Sequence, residues 1–480
     1  MSNDYFLKIH GHSCLEVRVN ETAIIFDPWL VGSAYWRSWW NFPEPYSVET
    51  LIKSLSNCHE IFIYITHLHW DHFHGPTLRK LQKEIPKLKF LISRTPERRL
   101  KNDLLEVLKK GTNVVEINHG ADYIINNNLS LKPFLSGPIL TDSAVLIKKN
   151  NDFILNLNDS KQQSLMMKQI INAVGDGNLK VMLRSHSSAN SRVCLQNKDG
   201  SKMINNDKDK KSYSIEFLNA ASFIKPKLAI PFASNMCYLH KDSIQYNQHS
   251  NTSDLLYKYH LSSKKYSGIN LQLVLPGEKI DLNTFKISQN KISRNQLLSN
   301  REGEIHKYRD KYINKLKKAE AFQDNCQFSN RNAINYFKNI FAKLPIFIRI
   351  FCRGKIAFIE KKYNNQQPNY FVVDMIKKKI TFNQPDINEC HTIIKVSPGV
   401  LNNAFANRNL NSLGISKLLS IQTTSIKQYN LFFSLCISAE IGSLPFISIK
   451  QFFRSLSIWI RRWREVLNYI LIILRLEKIK

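Results

Sequence analysis

The chain is 480 residues long, 43% hydrophobic and 22% charged. Such a chain has enough apolar material for a sizeable core, which excludes a disordered protein, and its length favours more than one domain. Lys+Arg 68 against Asp+Glu 38 give a formal charge of +30. A field of that sign draws anionic partners, such as nucleotide-linked substrates, nucleic acid or an anionic membrane face, and it follows equally from a Lys-, Asn- and Ile-rich coding bias. The eight cysteines (Cys14, Cys58, Cys194, Cys237, Cys326, Cys352, Cys390 and Cys436) are scattered without a C-x-x-C pair. That suits a reducing cytoplasm better than a disulfide framework. Met1-Ser2-Asn3-Asp4-Tyr5 lacks the basic and apolar regions of a secretory signal, so the expected location is cytoplasmic.

From the amino terminus, Tyr5 to His10, Cys14 to Val19 and Ala23 to Phe26 alternate apolar residues between the turns Gly11-His12-Ser13 and Asn20-Glu21. This spacing predicts antiparallel hairpins. Asp27-Pro28-Trp29 ends the third strand, where a carboxylate can support a metal site from behind its ligands. An aromatic segment follows, with Tyr35, Trp36, Trp39, Trp40 and Phe42 closed by Pro43-Glu44-Pro45. It reads either as a substrate lid carrying Trp36, Trp39 and Trp40, or as a hydrophobic plug.

The apolar run Ile61-Phe62-Ile63-Tyr64-Ile65 leads into Thr66-His67-Leu68-His69-Trp70-Asp71-His72. Three imidazoles and a carboxylate within six residues form a metal-binding pattern. Residues two apart point the same way in extended chain, so His67 and His69 can share one ion. Asp71 and His72 then turn toward a second. Imidazole nitrogen and carboxylate oxygen suit zinc, iron or manganese.

Beyond the motif, Pro76 to Leu88 reads as a helix. Strand signals return at Phe90-Leu91-Ile92, Val114-Val115, Leu129 to Phe134, Ala144 to Lys148 and Phe153 to Leu157. Strands and helices alternating in two groups predict a sheet sandwich flanked by helices. The pattern changes near residue 285. Residues 1–285 are expected to form the metal-binding domain, 286–365 a basic helical connection, and 366–480 a carboxy-terminal α+β region. In that last region Tyr370 to Ile376 and Ile380 to Phe382 read as strands around Lys377-Lys378-Lys379, with a further strand at His391 to Val396. From Gln451 to Lys480, Arg461, Arg462 and Arg464 alternate with Trp459, Trp463, Val466 and Leu467. The apolar stretch Tyr469 to Leu474 is too short to span a bilayer, which takes about 20 residues. Residues 451–480 are expected either to touch a membrane peripherally or, as the simpler reading, to dock on the protein's own core.

The H-x-H-x-D-H motif resembles that of the metallo-β-lactamase superfamily, hydrolases that commonly hold two metal ions. The resemblance implies an α/β fold, a metallo-β-lactamase-like αββα sandwich, here with a carboxy-terminal α+β extension. It also implies a third histidine, a bridging aspartate and a late histidine. Asp159, just past Phe153 to Asn158, fits the aspartate, with a helix N-cap as its alternative. His240, beyond the strand Leu228 to Ala233, fits the late histidine. The place of the third reads Ser136-Gly137-Pro138-Ile139-Leu140-Thr141-Asp142 and offers no imidazole. His119, in a turn, and His186, in the polar loop Arg184 to Asn190, are the stand-ins. His186 is also a candidate substrate contact.

Asp27-Pro28-Trp29-Leu30, Trp39-Trp40, Pro43-Glu44-Pro45, Ile154-Leu155-Asn156 with Asp159, and Pro231-Phe232-Ala233 with His240 narrow the resemblance. Together they look like the CMP-N-acetylneuraminate hydroxylase (monooxygenase) family, whose members draw electrons through a Rieske domain. Such a domain needs a C-x-H pair as well as a C-x-x-H pair. The chain has no C-x-H, and Cys58-His59 and Cys390-His391 are adjacent pairs at the wrong spacing. The resemblance therefore lacks the Rieske domain. The leading expectation is a hydrolase with one or two Zn2+ ions and Asp71 orienting the attacking water, acting on an anionic phosphoester, lactone or nucleotide-sugar. The alternative is an oxygenase subunit with iron and a separate redox protein. A nuclease or nucleic-acid-binding role is disfavoured, since no further nuclease motif is present, and a membrane-associated protein with a decayed site is the remaining reading.

Overall fold

The hairpins expected at the amino terminus open an eight-stranded sheet in the computed structural model, which describes residues 4–137, 141–160, 164–203, 206–288, 299–361, 368–383, 386–444 and 448–473. Its strands lie in the order Ile287–Ser288, Lys279–Asp281, Tyr5–Ile9, Leu15–Val19, Thr22–Phe26, Glu60–Ile65, Lys89–Ser93 and Val114–Ile117. Pairing is antiparallel as far as Thr22–Phe26 and parallel beyond it. The switch brings the carboxyl ends of Thr22–Phe26 and Glu60–Ile65 side by side, which sets Asp27 next to the histidine motif. A second sheet runs Leu228–Pro231, Asn178–Arg184, Asp152–Asn158, Ser143–Lys149, Leu129–Leu135 and Tyr123–Asn126.

The two sheets share one apolar layer. Leu7, Val17, Ile24, Phe62 and Leu91 of the first pack on Leu131, Ile147, Ile154, Val181 and Ile230 of the second. The alternate residues face outward, as the two-residue repeat of a strand requires. Ile25, Ile63 and Phe90 meet Leu51, Leu78 and Leu104 of the helices Val48–Leu55, Gly75–Glu84 and Arg99–Val107. On the other side Leu155, Met182 and Ala229 meet Ile170, Phe217 and Leu256 of three further helices. The result is an αββα sandwich, the architecture expected from the sequence.

A third sheet forms the carboxy-terminal α+β extension, in the order Leu195–Gln196, Leu419–Thr423, Thr392–Val396, Lys355–Glu360, Tyr370–Asp374 and Lys379–Phe382. Its core is aromatic, with Phe337, Phe358, Phe371, Phe405 and Phe432 within one cluster. Leu195–Gln196 comes from the sandwich half of the sequence and pairs with Leu419–Thr423, so the two parts are laced together. Between them in sequence, the helices Arg301–Lys311 and Ile313–Asn325 pack through Ile305 and Leu316 on Trp40, Phe42 and Leu239. Residues 289–298 of the expected basic helical stretch lie outside the described residues. Among the described residues no helix is long and apolar enough to cross a membrane.

Glu440 lies buried near the end of the helix Ile426–Ile441, where one carboxyl oxygen accepts from the Tyr336 hydroxyl at 2.7 Å and the Leu410 N–H at 2.8 Å. Burial pushes its pKa up to about 7 from 4.5, against the pull of those donors. Above the unfolded value, the folded protein keeps a proton that the unfolded chain releases, so stability falls as pH rises through this window, by roughly 3 kcal/mol in all. Glu440→Gln keeps the acceptor oxygen and removes that ionisation. Thermal denaturation from about pH 5 to pH 8 should show the variant losing less stability than the parent as pH rises.

Candidate metal centre

Asp27 follows a strand but turns sharply, with φ of 43° in the left-handed region that non-glycine residues rarely adopt. The turn aims its fully buried carboxylate at the histidine motif. Oδ1 accepts from the Thr66 N–H at 2.8 Å, and Oδ2 accepts from the Thr66 hydroxyl at 2.7 Å. His72 Nδ1 lies 3.0 Å from Oδ2, and the Asn158 amide also donates to it. These contacts orient two rings. Donating Nδ1–H to Asp27 turns His72 Nε2 into the cluster, bare when that ring is neutral. The Thr66 hydroxyl, its proton committed to Asp27, accepts from His67 Nδ1 at 3.0 Å and leaves His67 Nε2 likewise bare.

The bare nitrogens meet carboxylates. His72 Nε2 is 3.3 Å from Asp71 Oδ2 and 3.3 Å from Asp159 Oδ2, and His12 Nε2 is 3.0 Å from Asp71 Oδ2. His67 Nε2 faces His69 Nδ1 at 2.8 Å. Donor atoms held about 2.0–2.1 Å from one ion stand roughly 3.4 Å apart in a tetrahedral shell, close to these separations. Two donor groups emerge, His12 with Asp71 and His72, and His67 with His72 and Asp159, each with its atoms within 4.8 Å. His12 Nδ1 is buried with no hydrogen-bond partner, and the buried His12 Nε2 and His72 Nε2 have none beyond these carboxylates. Buried polar atoms without partners are costly, and here they converge on one spot. The donor set therefore fits a divalent cation.

Electrostatics treat the two rings differently. Burial pushes His67 well below its usual pKa, helped by His72 and His69, so the ring stays neutral and able to bind metal. At His72 burial acts in the same sense, but Asp71, Asp159 and Asp27 outweigh it and favour positive charge there. Burial likewise disfavours ionised Asp71, and His72 and His12 overcome it. Tyr35, also at positive φ, donates its hydroxyl to Asp71 Oδ1 at 2.5 Å and leaves Oδ2 facing the histidines.

The structure thus brings together His67, His69, Asp71, His72 and Asp159 and adds His12, which the sequence offered only as a turn residue. Gly11 makes that turn fit, because a Cβ there would meet Asn41 Oδ1 at 2.8 Å. The His12 N–H is held by the same Asn41 oxygen. His186 sits just past the strand Asn178–Arg184, neighbour to the strand Asp152–Asn158 that Asp159 follows. It is fully buried, neither ring nitrogen has a hydrogen-bond partner, and burial with Arg301 and His12 nearby pushes it down to about 3. Asp142, at the place lacking a third histidine, feels His69, Asp159 and His72, while burial pushes its carboxyl up. Residues 138–140 of that segment lie outside the described residues.

His240 is not part of the cluster. Its Nδ1 accepts from the Asp242 N–H at 3.1 Å and its Nε2 lies 3.0 Å from Gln323 Oε1, so both nitrogens are occupied in joining a turn to the helix Ile313–Asn325. Cys237 stands at C-x-x-H spacing from it, but that thiol is buried beside Trp40 and Leu239. His119 accepts from the Leu135 N–H and touches Glu465 at 3.4 Å, which is a structural role.

The aromatic segment divides. Trp39 and Trp40 are buried strand residues, which favours the plug over the lid for both. Trp39 donates its indole N–H to Ile415 O at 3.0 Å and packs on Tyr35, Tyr238 and His12. Trp40 faces Tyr308 and Tyr312, away from the histidines. Trp36 alone is half-exposed, edge-on to Trp70, and donates to Asn403 Oδ1 at 2.8 Å. The carboxy-terminal extension reaches the centre itself, where the Asn411 amide lies 3.0 Å from His69 Nε2.

No family model matches the chain. Over 152 residues it is 32% identical to the inactive cytidine monophosphate-N-acetylneuraminic acid hydroxylase of Homo sapiens, a stretch covering 31% of this chain and 29% of that protein. The hydroxylase of Pan troglodytes matches with the same identity and length, over 24% of its own sequence. The matched stretch is thus under a third of either relative. The metallo-beta-lactamase fold protein YhfI of Bacillus subtilis superposes at a TM-score of 0.37 and 11% identity, covering 57% of this chain and 97% of that one. The chain is similar to these hydroxylases over part of its length.

If Trp39 is a plug, Trp39→Ala should cost about 3–5 kcal/mol of stability, as for other buried aromatic truncations, and lower the Tm measured by circular dichroism. An unchanged Tm would return Trp39 to the lid.

Proposed function

We propose that the chain is a metal-dependent hydrolase acting on an anionic small molecule. The observation that supports this most is the pair of donor groups sharing His72, which suits one ion or two adjacent ones. Zinc is the first candidate and iron the second, both being compatible with imidazole and carboxylate. A divalent ion bound here would act as a Lewis acid and lower the pKa of a bound water to about 7.

In this reading His67, His69 and Asp159 hold one position, and His12, Asp71 and His72 the other. His186 and Asp142, which feel the charges of this cluster, are the candidates to complete them, His186 taking the part first expected of His240. Asp71 has a further task. Its Oδ1 is occupied by Tyr35, so the lone pairs of Oδ2 are what it can offer a water proton. A polar cleft whose lining includes Ser187, Ser188, Asn190, Asp209, Tyr213 and Lys417 adjoins His186. Lys417 is buried, its ammonium held on the carbonyls of Ala189 and Asn190, and burial lowers its pKa to about 8. Together with Arg301 beside His186 it would favour a negatively charged substrate group.

A second reading, an oxygenase using iron and a separate electron donor, is favoured by the named hydroxylases among the relatives. Metal identity separates the two. Elemental analysis of protein purified without chelator should find zinc for the hydrolase, and phosphoesters, lactones and nucleotide-sugars should be tested as substrates. Iron with oxygen uptake would favour the oxygenase. His69→Ala and Asp159→Ala should each weaken metal binding more than about 100-fold, since even groups behind the ligands are worth 10–100-fold. Unchanged metal content in both variants would refute the site.

A further inference from the structure

The helix Ile449–Arg461, capped by Ser448, and its continuation Trp463–Ile473 are attached to the protein by their polar side. Of the two readings open to this segment, peripheral membrane contact or docking on the core, the second would bury its apolar stripe, as an amphipathic helix does. Instead the buried residues are Gln451, Ser455, Arg462 and Glu465. Gln451 donates to Gly442 O at 3.1 Å. Arg462 donates to Leu135 O at 3.1 Å and Gly137 O at 3.2 Å, and pairs with Glu465. Glu465 in turn meets His119 and accepts from Gln169 at 3.2 Å.

The apolar side faces outward. Ile449 is 79% exposed, Phe453 61%, Ile460 64% and Trp463 58%, with Phe452 and Leu467 nearly half exposed. Ile449, Phe453, Ile460, Trp463 and Leu467 recur three, four or seven apart, with Phe452 beside them, and so trace one stripe along the segment. Basic side chains flank it. Lys450, Arg461 and Arg464 are exposed and Arg454 is half-buried. The single acid between residues 449 and 468 is Glu465, which is turned inward.

We propose that this stripe is a docking surface for an anionic lipid bilayer, on which the helices lie in the interfacial plane. Rings and aliphatic side chains enter the boundary between headgroups and acyl chains, with Trp463 at the depth where indoles concentrate. The arginines and the lysine reach the lipid phosphates while their stems cover apolar surface. A second copy of the chain fits less well, because two-fold pairing of this stripe would set one cationic border against another. The anchoring groups end on Leu135 and Gly137, which precede Asp142 by a few residues in sequence.

The test is co-sedimentation of the full chain with phosphatidylcholine vesicles, and with mixed phosphatidylcholine–phosphatidylglycerol vesicles. Binding should favour the anionic vesicles and weaken with added salt. Arg461→Glu with Arg464→Glu should lower partitioning at least about 25-fold, since each basic residue near such a surface is worth roughly fivefold. Phe453→Ser with Trp463→Ser should lower it at least about tenfold without lowering the Tm, because both side chains are exposed. Absence of binding, equal binding to neutral and anionic vesicles, or indifference to both double variants would overturn the proposal. So would a dimer that dissolves on Phe453→Ser with Trp463→Ser in a chain that ignores vesicles. Should a variant fail to fold, the salt and lipid dependence of the parent chain still decides.

Discussion

The carboxylate of Asp27 takes hydrogen bonds from Thr66, His72 and Asn158 in a site with no access to water. An ionised group so deeply buried is tolerable only when its lone pairs are filled. Filling them fixes the geometry of the whole centre. Thr66 is positioned at both its amide and its hydroxyl, which orients His67; His72 is turned so that Nε2 faces Asp71 and Asp159. Asn158, itself at positive φ, links the second sheet to the same carboxylate just before Asp159. Three segments that are distant in sequence therefore agree on one arrangement, and the backbone strain at Asp27 and Asn158 is the kind that persists only where surrounding contacts over-determine it.

The carboxy-terminal extension closes over this end of the sandwich. Asn411 contacts His69, Ile415 and Ser416 accept from Trp39 and Ser38, Asn403 accepts from Trp36, and Lys417 holds the loop after His186. The sandwich supplies the candidate ligands, while the extension supplies much of the wall around them. That division explains why the aromatic segment is mostly buried: Trp39 and Trp40 seal joints between parts, and Trp36 with Trp70 is left at the surface.

Much of the fold was legible because its signals are local. The hairpins, the parallel strands and the H-x-H-x-D-H loop each depend on neighbours in sequence, and consecutive residues at a strand end share one site. His12 was hidden because Gly11-His12-Ser13 looks like any turn, and its value comes from Asp71, which lies far along the chain. His240 misled for the opposite reason. Its strand has the right pattern, but its ring nitrogens are claimed by Gln323 and Asp242, and Gln323 sits on a helix whose place sequence does not announce. The segment from Ile449 onward shows an amphipathic pattern plainly, yet the pattern does not say which face the protein keeps. Arg462 and Glu465 decide it, through partners at Leu135, Gly137 and His119.

The dependence of the centre on Asp27 can be measured by titrating the metal-depleted chain with Co2+ and following the visible absorption of the bound ion, for the parent and for Asp27→Asn. The amide would set its own N–H groups against those of His72 or Thr66 while nearly preserving shape. The account predicts a folded variant that binds Co2+ about 10–100-fold more weakly, with an altered spectrum. Equal affinity and an identical spectrum would contradict it, and would mean that the histidines hold their positions without the buried carboxylate.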